Sequence, residues 1–141
     1  MIGGINMAGY QGYLLMIGKK KFPMKYIAAS TYISSPNQRT ELKAYTNAQN
    51  KLIRQTSSRY RSKVEFETPP LFLDELEEIR QMINQALINA VERKVSVKYW
   101  NDEDLVYKTM ICYAPDIDYK IKGTLNGTLL YEPIRFAFIE Y

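Results

Sequence analysis

The chain of 141 residues contains no histidine and a single cysteine, Cys112. Without histidine there is no Ser-His-Asp or Cys-His catalytic arrangement, and most zinc sites lose a usual ligand. A nucleophilic thiol needs a base beside it, most often histidine. A lone thiol cannot form an intrachain disulfide. Cys112 stands in the run Thr109-Met110-Ile111-Cys112-Tyr113, where a free cysteine packs as a small hydrophobe. Carboxylate-only and lysine chemistry carry no recognisable signature. The expectation is therefore a protein that is not an enzyme, with no catalytic residues, no metal ligands and no cofactor.

Long apolar runs are also missing. Ala8 to Ile17 is fairly apolar, but it contains Gly9, Gln11 and Gly12 and is followed by Lys19-Lys20-Lys21. A signal peptide carries its positive charge first, and a membrane span needs about 20 apolar residues. This reading expects no membrane partner and synthesis in a cytoplasm. Asn101-Asp102-Glu103-Asp104 and the pair Asp116 and Asp118 are rich in oxygen ligands. They lack the central glycine and closing glutamate of a calcium loop. Gly3-Gly4 and the glycines 123 and 127 do not lead into Gly-Lys-Ser/Thr or a helix, so no phosphate-binding loop is present.

The length suits one domain, 1–141, able to bury its own core. Its net charge of +4 is unevenly distributed. Residues 1–63 hold eleven Lys/Arg against Glu41 alone, whereas residues 64–141 hold eight Lys/Arg against fourteen Asp/Glu. Such a split suits nucleic acid or an oppositely charged protein surface. In a self-assembling chain it would let the basic part of one copy meet the acidic part of the next.

Phe72, Leu73, Leu76, Ile79, Ile83, Ala86, Leu87 and Ala90 recur at three- and four-residue steps after Pro69-Pro70. That spacing predicts an amphipathic helix at about 72–91. Acids crowd its first turns, and Arg93 and Lys94 follow its end, as the helix dipole favours. Elsewhere the period is two. Tyr60, Ser62, Val64 and Phe66 alternate with charged residues, so Arg59, Arg61 and Lys63 share one strand face. Val95, Val97 and Tyr99 lead through the 101–104 turn to a second strand over 105–113, a hairpin by composition. Asn126-Gly127 predicts a type I′ turn joining 119–125 to 128–131. A last strand carries Ile134, Phe136 and Phe138 on one face. The strands 13–17 and 22–27 are expected to pair across Gly18-Lys19-Lys20-Lys21.

Residues 29–58 are rich in Ser, Thr, Asn and Gln, with Leu42, Ala44, Tyr45, Leu52 and Ile53 as the only anchors. So polar a stretch contributes little to a core. It reads as a long arm or loop with one or two short strands, and long loops in compact domains usually serve function. The domain then divides into an N-terminal extension and arm, 1–57, and a strand-helix-hairpin-hairpin core, 58–141. Twelve tyrosines, six of them among the basic residues, fit a protein interface. The candidate subunit-interface residues are Tyr32, Arg39, Lys43, Tyr45, Arg54, Arg59, Arg61 and Lys63. Basic residues interleaved with rings would equally serve single-stranded nucleic acid, where bases stack on aromatics. No RNA-recognition, KH or helix-turn-helix pattern accompanies them.

The order of elements over 58–141 resembles a family of small phage and prophage tail proteins of undefined function. The residues carrying the resemblance are Val95-Ser96-Val97-Lys98-Tyr99-Trp100-Asn101-Asp102, Lys108 to Tyr113, and the terminal Phe136-Ala137-Phe138-Ile139-Glu140-Tyr141. The family opens more directly into its first polar segment than this chain does. The resemblance implies a structural virion protein of the tail (tube, tip or baseplate), made in the bacterial host cytoplasm. Its partners would be itself, in a ring-type homo-oligomer such as a hexamer, and other tail proteins. No catalytic residues come with it.

The fold expected from these readings is α+β, mainly β: a β-sandwich or split β-barrel with the helix packed on the sheet. Leu73, Leu76, Ile79, Ile83 and Leu87 should meet the faces carrying Val64, Phe66, Val97, Phe136 and Phe138. Assembly is the expected mechanism, and a nucleic-acid-associated module using the basic N-terminal part is the alternative.

Overall fold

The computed structural model describes residues 9–141, the side chain of Ser57 excepted. In chain order its elements are β1 Leu15–Ile17, β2 Lys20–Lys21, β3 Ile33–Thr46, β4 Leu52–Glu67, β5 Leu71–Phe72, α1 Leu73–Ala86, β6 Leu87–Asn89, β7 Lys94–Asn101, β8 Val106–Tyr113, β9 Ile121–Leu125, β10 Thr128–Tyr131 and β11 Arg135–Glu140. One sheet runs in the order β2-β1-β7-β8-β11-β4-β3, with β6 also pairing β7. A smaller sheet has the order β5-β10-β9. The fold is α+β, mainly β and sandwich-like; neither sheet closes into a barrel, so the split-barrel alternative falls away.

Period-two patterning decides which side chains enter the core. Val95, Val97 and Tyr99 of β7, Met110 and Cys112 of β8, Val64 and Phe66 of β4, and Phe136 and Phe138 of β11 are all buried. Helix α1 adds Leu76, Ile79, Met82 and Ile83. Phe66 lies at the centre of an aromatic group, its ring 5.1 Å from Phe22, 6.2 Å from Tyr32 and 5.7 Å from Phe136 between centroids. Such tilted and offset pairs add to the area these rings bury.

The helix starts where its acids predict. Asp74 and Glu75 occupy the first turn, and the Phe72 N–H donates to Glu75 Oε1 at 3.0 Å. Its end differs from the expected 91. Leu87 turns extended, and Leu87 and Asn89 pair with Val95 and Lys94. Ladder hydrogen bonds to β7 thus replace the last helical turn. The apolar stripe is also narrower than the spacing suggested. Leu73 lies about 100° around the helix from the Leu76, Ile79 and Ile83 face, and it is exposed, while Met82 takes a core position.

The expected pairing of 13–17 with 22–27 is shortened. Only Met16 and Ile17 pair, with Lys21 and Lys20. Proline has no N–H to donate to a ladder, and after Pro23 the chain forms a 3-10 turn, Met24–Tyr26. Phe22 and Tyr26 still reach the core. The Tyr26 hydroxyl donates to Glu78, tying this turn to α1. Burial, reinforced by that carboxylate, raises the Tyr26 pKa. Gly18 has φ +60°, and a Cβ there would lie 2.9 Å from the Cβ of Ala86. A side chain would therefore push the helix off β1.

The hairpins follow the turn chemistry. Asn126 and Gly127 have φ of 54° and 77°, the two positive values of a type I′ turn, between β9 and β10. Strands β7 and β8 pair in register from Lys94↔Tyr113 to Asn101↔Val106. Cys112 is fully buried and its Sγ donates to the Val95 carbonyl at 3.4 Å. Burial pushes its thiol up to about 12. Ellman's reagent should therefore modify Cys112 very slowly in the native protein and rapidly in denaturant, because the thiolate is the reacting species. Comparable rates in both states would contradict the burial. Among the described residues no helix is long and apolar enough to cross a membrane.

Candidate functional site

The segment expected to be a loop is the longest regular element of the molecule. Strand β4 pairs with β11 only from Lys63↔Ile139 to Glu67↔Arg135, yet it pairs with β3 along nearly its whole length. Beyond Ser62 the two strands therefore have only each other as ladder partners among the described residues, and residues 38–61 form a two-stranded ribbon standing off the sandwich. Asn47 closes its tip: Asn47 Oδ1 accepts the N–H groups of Gln49 and Lys51, both at 3.0 Å. The ribbon is exposed on both faces, so its sequence shows no polar and apolar alternation. That is why composition alone read it as a loop.

Its surface is basic and studded with aromatics. Arg39, Lys43, Lys51, Arg54, Arg59 and Arg61 stand against Glu41 alone. Arg39 lies 4.8 Å from the Tyr60 ring centroid, and Lys43 lies 5.1 Å from that of Tyr45. Arg54 Nε meets Glu41 Oε1 at 2.6 Å. Arg59 donates to the carbonyl of Tyr141, and Lys63 sits 3.5 Å from Glu65. Arg59 and Arg61 line a shallow hollow with Thr40 and Leu42. Exposed cation-π contacts and ion pairs are each worth only about 0.5–1 kcal/mol or less. They arrange the side chains without cancelling the charge the ribbon presents.

The residues expected to anchor this segment do the opposite. Leu42 is 68% exposed and Leu52 60%. Together with Tyr45 and Tyr60 they put apolar surface among the cations. Seven of the eight candidate interface residues lie on β3 or β4. Tyr32 is the exception: it precedes β3 and is packed against the core, stacked on Phe66. Its hydroxyl is buried without a hydrogen-bond partner among the described residues, and burial raises its pKa. It supports the sandwich and is not part of the ribbon surface. Residues 1–8 of the expected extension lie outside the described residues; residues 9–57 are not set apart from the core, since β1 is an inner strand of the large sheet and β4 begins at Leu52.

A polar cluster at the root, invisible in the sequence, sets the direction of the ribbon. Asn37 has φ 54° and stands at a register shift in β3. Its N–H donates to Ser62 Oγ at 3.0 Å, and the Tyr99 hydroxyl donates to the same oxygen at 2.8 Å. Asn101 Nδ2 donates to Asn37 Oδ1 at 3.2 Å and to the Tyr99 hydroxyl oxygen at 3.3 Å. Asn101 Oδ1 accepts the N–H groups of Glu103 and Asp104 at 2.9 and 3.0 Å, closing the β7–β8 turn. Asn37 Nδ2 reaches Asp104 Oδ2 at 3.0 Å. Hydrogen bonds from Lys108 and Asn37 hold the Asp104 carboxyl below its usual range. Asn101 and Ser62 are buried, and a satisfied buried network of this kind specifies one geometry. Asn101 was legible as a turn residue; its partner Asn37, 64 positions away, left no signal.

The arrangement offers a long exposed edge, cations and apolar side chains on a fixed stalk. Such a surface can meet an acidic, partly apolar protein face. The edge is partly protected against indiscriminate pairing by its register shifts and by Arg39 and Lys43. A family model described as "Family of unknown function (DUF6711)" matches residues 7–141. No curated protein matches the chain. The chain belongs to the DUF6711 family.

Proposed function

We propose that this member of the DUF6711 family is a structural protein that acts by assembling with copies of itself, as a tail-tube, tail-tip or baseplate component of a tailed phage or prophage. The observation that carries the assembly reading is the ribbon over residues 38–61. It buries no core of its own, yet the root cluster holds it in one direction. A two-stranded ribbon alone is marginal in water, and its exposed leucines and tyrosines acquire a purpose when a neighbour covers them. The tail setting draws on the resemblance over residues 58–141. Partners would be further copies in a ring, and other tail proteins.

Gel filtration with light scattering, at low and high salt, tests the reading. The wild-type chain should form a defined oligomer. A variant in which residues 40–59 are replaced by Asn-Gly, joining the register partners Arg39 and Tyr60, should stay folded and run as a monomer. A wild-type monomer at every concentration, binding single-stranded DNA tightly and in a salt-sensitive manner, would instead favour a nucleic-acid-associated module using the basic face.

A further inference from the structure

A groove at the end of the molecule away from the ribbon is lined by Leu76, Arg80, Arg93, Asp116, Ile117, Tyr119, Ile121 and Tyr131 and has a volume of about 560 Å³. It sets two guanidinium groups against apolar walls. Arg80 donates to the Tyr119 hydroxyl at 3.1 Å. Arg93 Nε is buried and has no hydrogen-bond partner among the described residues. Among the described residues neither arginine forms an ion pair within 4 Å, Asp116 included. Arg93 is held in place by its own backbone, with φ 54° and a carbonyl that accepts the Ala114 N–H at 3.1 Å. Two unpaired cations beside Leu76, Ile117 and Ile121 call for a ligand that combines carboxylates with aliphatic side chains.

The β7–β8 turn has that composition. Asp102 and Glu103 are exposed, and the following Leu105 and Val106 are 51% and 44% exposed. Leu105 is held at φ 56° by its N–H bond to the Asn101 carbonyl at 2.8 Å. A bulky residue in the left-handed region is a strained conformation that tends to mark functional surfaces. The groove and the turn sit at opposite ends of β7, about 25 Å apart at the rise of a strand. A chain cannot fill its own groove with its own turn, but a second copy can.

We propose that the Arg80/Arg93 groove of one copy receives the acidic Asp102-Glu103 turn of the next. The contact uses two different patches, so it is heterologous and propagates head to tail into a ring or a filament. It rests on the assembly reading and adds to it the surface that the ribbon-bearing end of each copy meets.

Sedimentation velocity on Arg80→Glu, on Asp102→Lys/Glu103→Lys, and on an equimolar mixture of the two tests it, with circular dichroism checking the fold of each. Each variant alone should self-associate about tenfold or more weakly than wild type. The mixture should recover assembly, because each groove then faces a turn of opposite charge. Recovery in the mixture also answers the objection that a variant is misfolded. Wild-type assembly with both variants assembling equally well would overturn the groove contact and leave the ribbon reading standing. So would two weakened variants that fail to recover when mixed. A monomeric wild type would overturn both.

Discussion

Phe66→Ala should lower the unfolding free energy by about 3–5 kcal/mol, a large part of the roughly 5–15 kcal/mol that holds a domain together. Phe66 is almost fully buried on β4, the strand that joins the ribbon to the sandwich, opposite Phe136 of β11. Phe22, Tyr32 and Phe136 pack around its ring. They come from three different parts of the chain, so the cavity left by alanine cannot be closed by one local shift. Urea denaturation followed by circular dichroism should show the midpoint falling with little change in slope. Phe66→Leu should lose less, because it refills most of the volume. A loss below about 1 kcal/mol for the alanine variant would mean that this group is not the centre of the core.

Asn101→Ala should cost about 2–3 kcal/mol, from buried polar groups left without partners. Asn101 is fully buried and serves four others: the Glu103 and Asp104 N–H groups, the Asn37 side chain and the Tyr99 hydroxyl. The two N–H groups lie at the turn and can turn to water. The Tyr99 hydroxyl is buried and cannot, although it keeps Ser62 as an acceptor. Because the same side chain holds the ribbon root, assembly should weaken more than the loss of stability accounts for. Asn37→Ala, which removes the other half of the contact, should affect assembly in the same way, and the two changes together should fall short of additivity. Additive losses with normal assembly would show that the cluster stabilises the turn without directing the ribbon.

Elements with one wet and one dry face were legible in the sequence. The β7–β8 and β9–β10 hairpins, the terminal strand and the helix start follow from alternation, from Asn126-Gly127 and from the acids after Pro69-Pro70. Elements whose shape depends on a distant partner were not. Leu87 to Asn89 carry a helical pattern, and β7 draws them into a ladder. Residues 38–61 show no amphipathic period because both of their faces are wet, so only the pairing with β4 reveals the ribbon. Leu42 and Leu52, expected as anchors, prove to be its exposed apolar surface. The candidate interface residues were chosen by charge and ring content, and six of the eight lie on the ribbon. Lys63 stands where β4 pairs with β11, and the Tyr32 ring packs against the core.

Arg80 and Arg93 drew no attention as a pair, since thirteen positions separate them and each follows a plausible helix-face or helix-end rule. By itself the sequence determined which strand faces enter the core, the turns, the uneven charge and the absence of histidine, because each of these depends on residue type and near neighbours. The tertiary structure decided where the helix stops, that the polar segment is a directed ribbon, and that Arg80 and Arg93 share a groove at the end opposite the acidic turn. Each of these is a matter of which distant groups satisfy a backbone or a buried polar atom, and only the folded chain makes that choice.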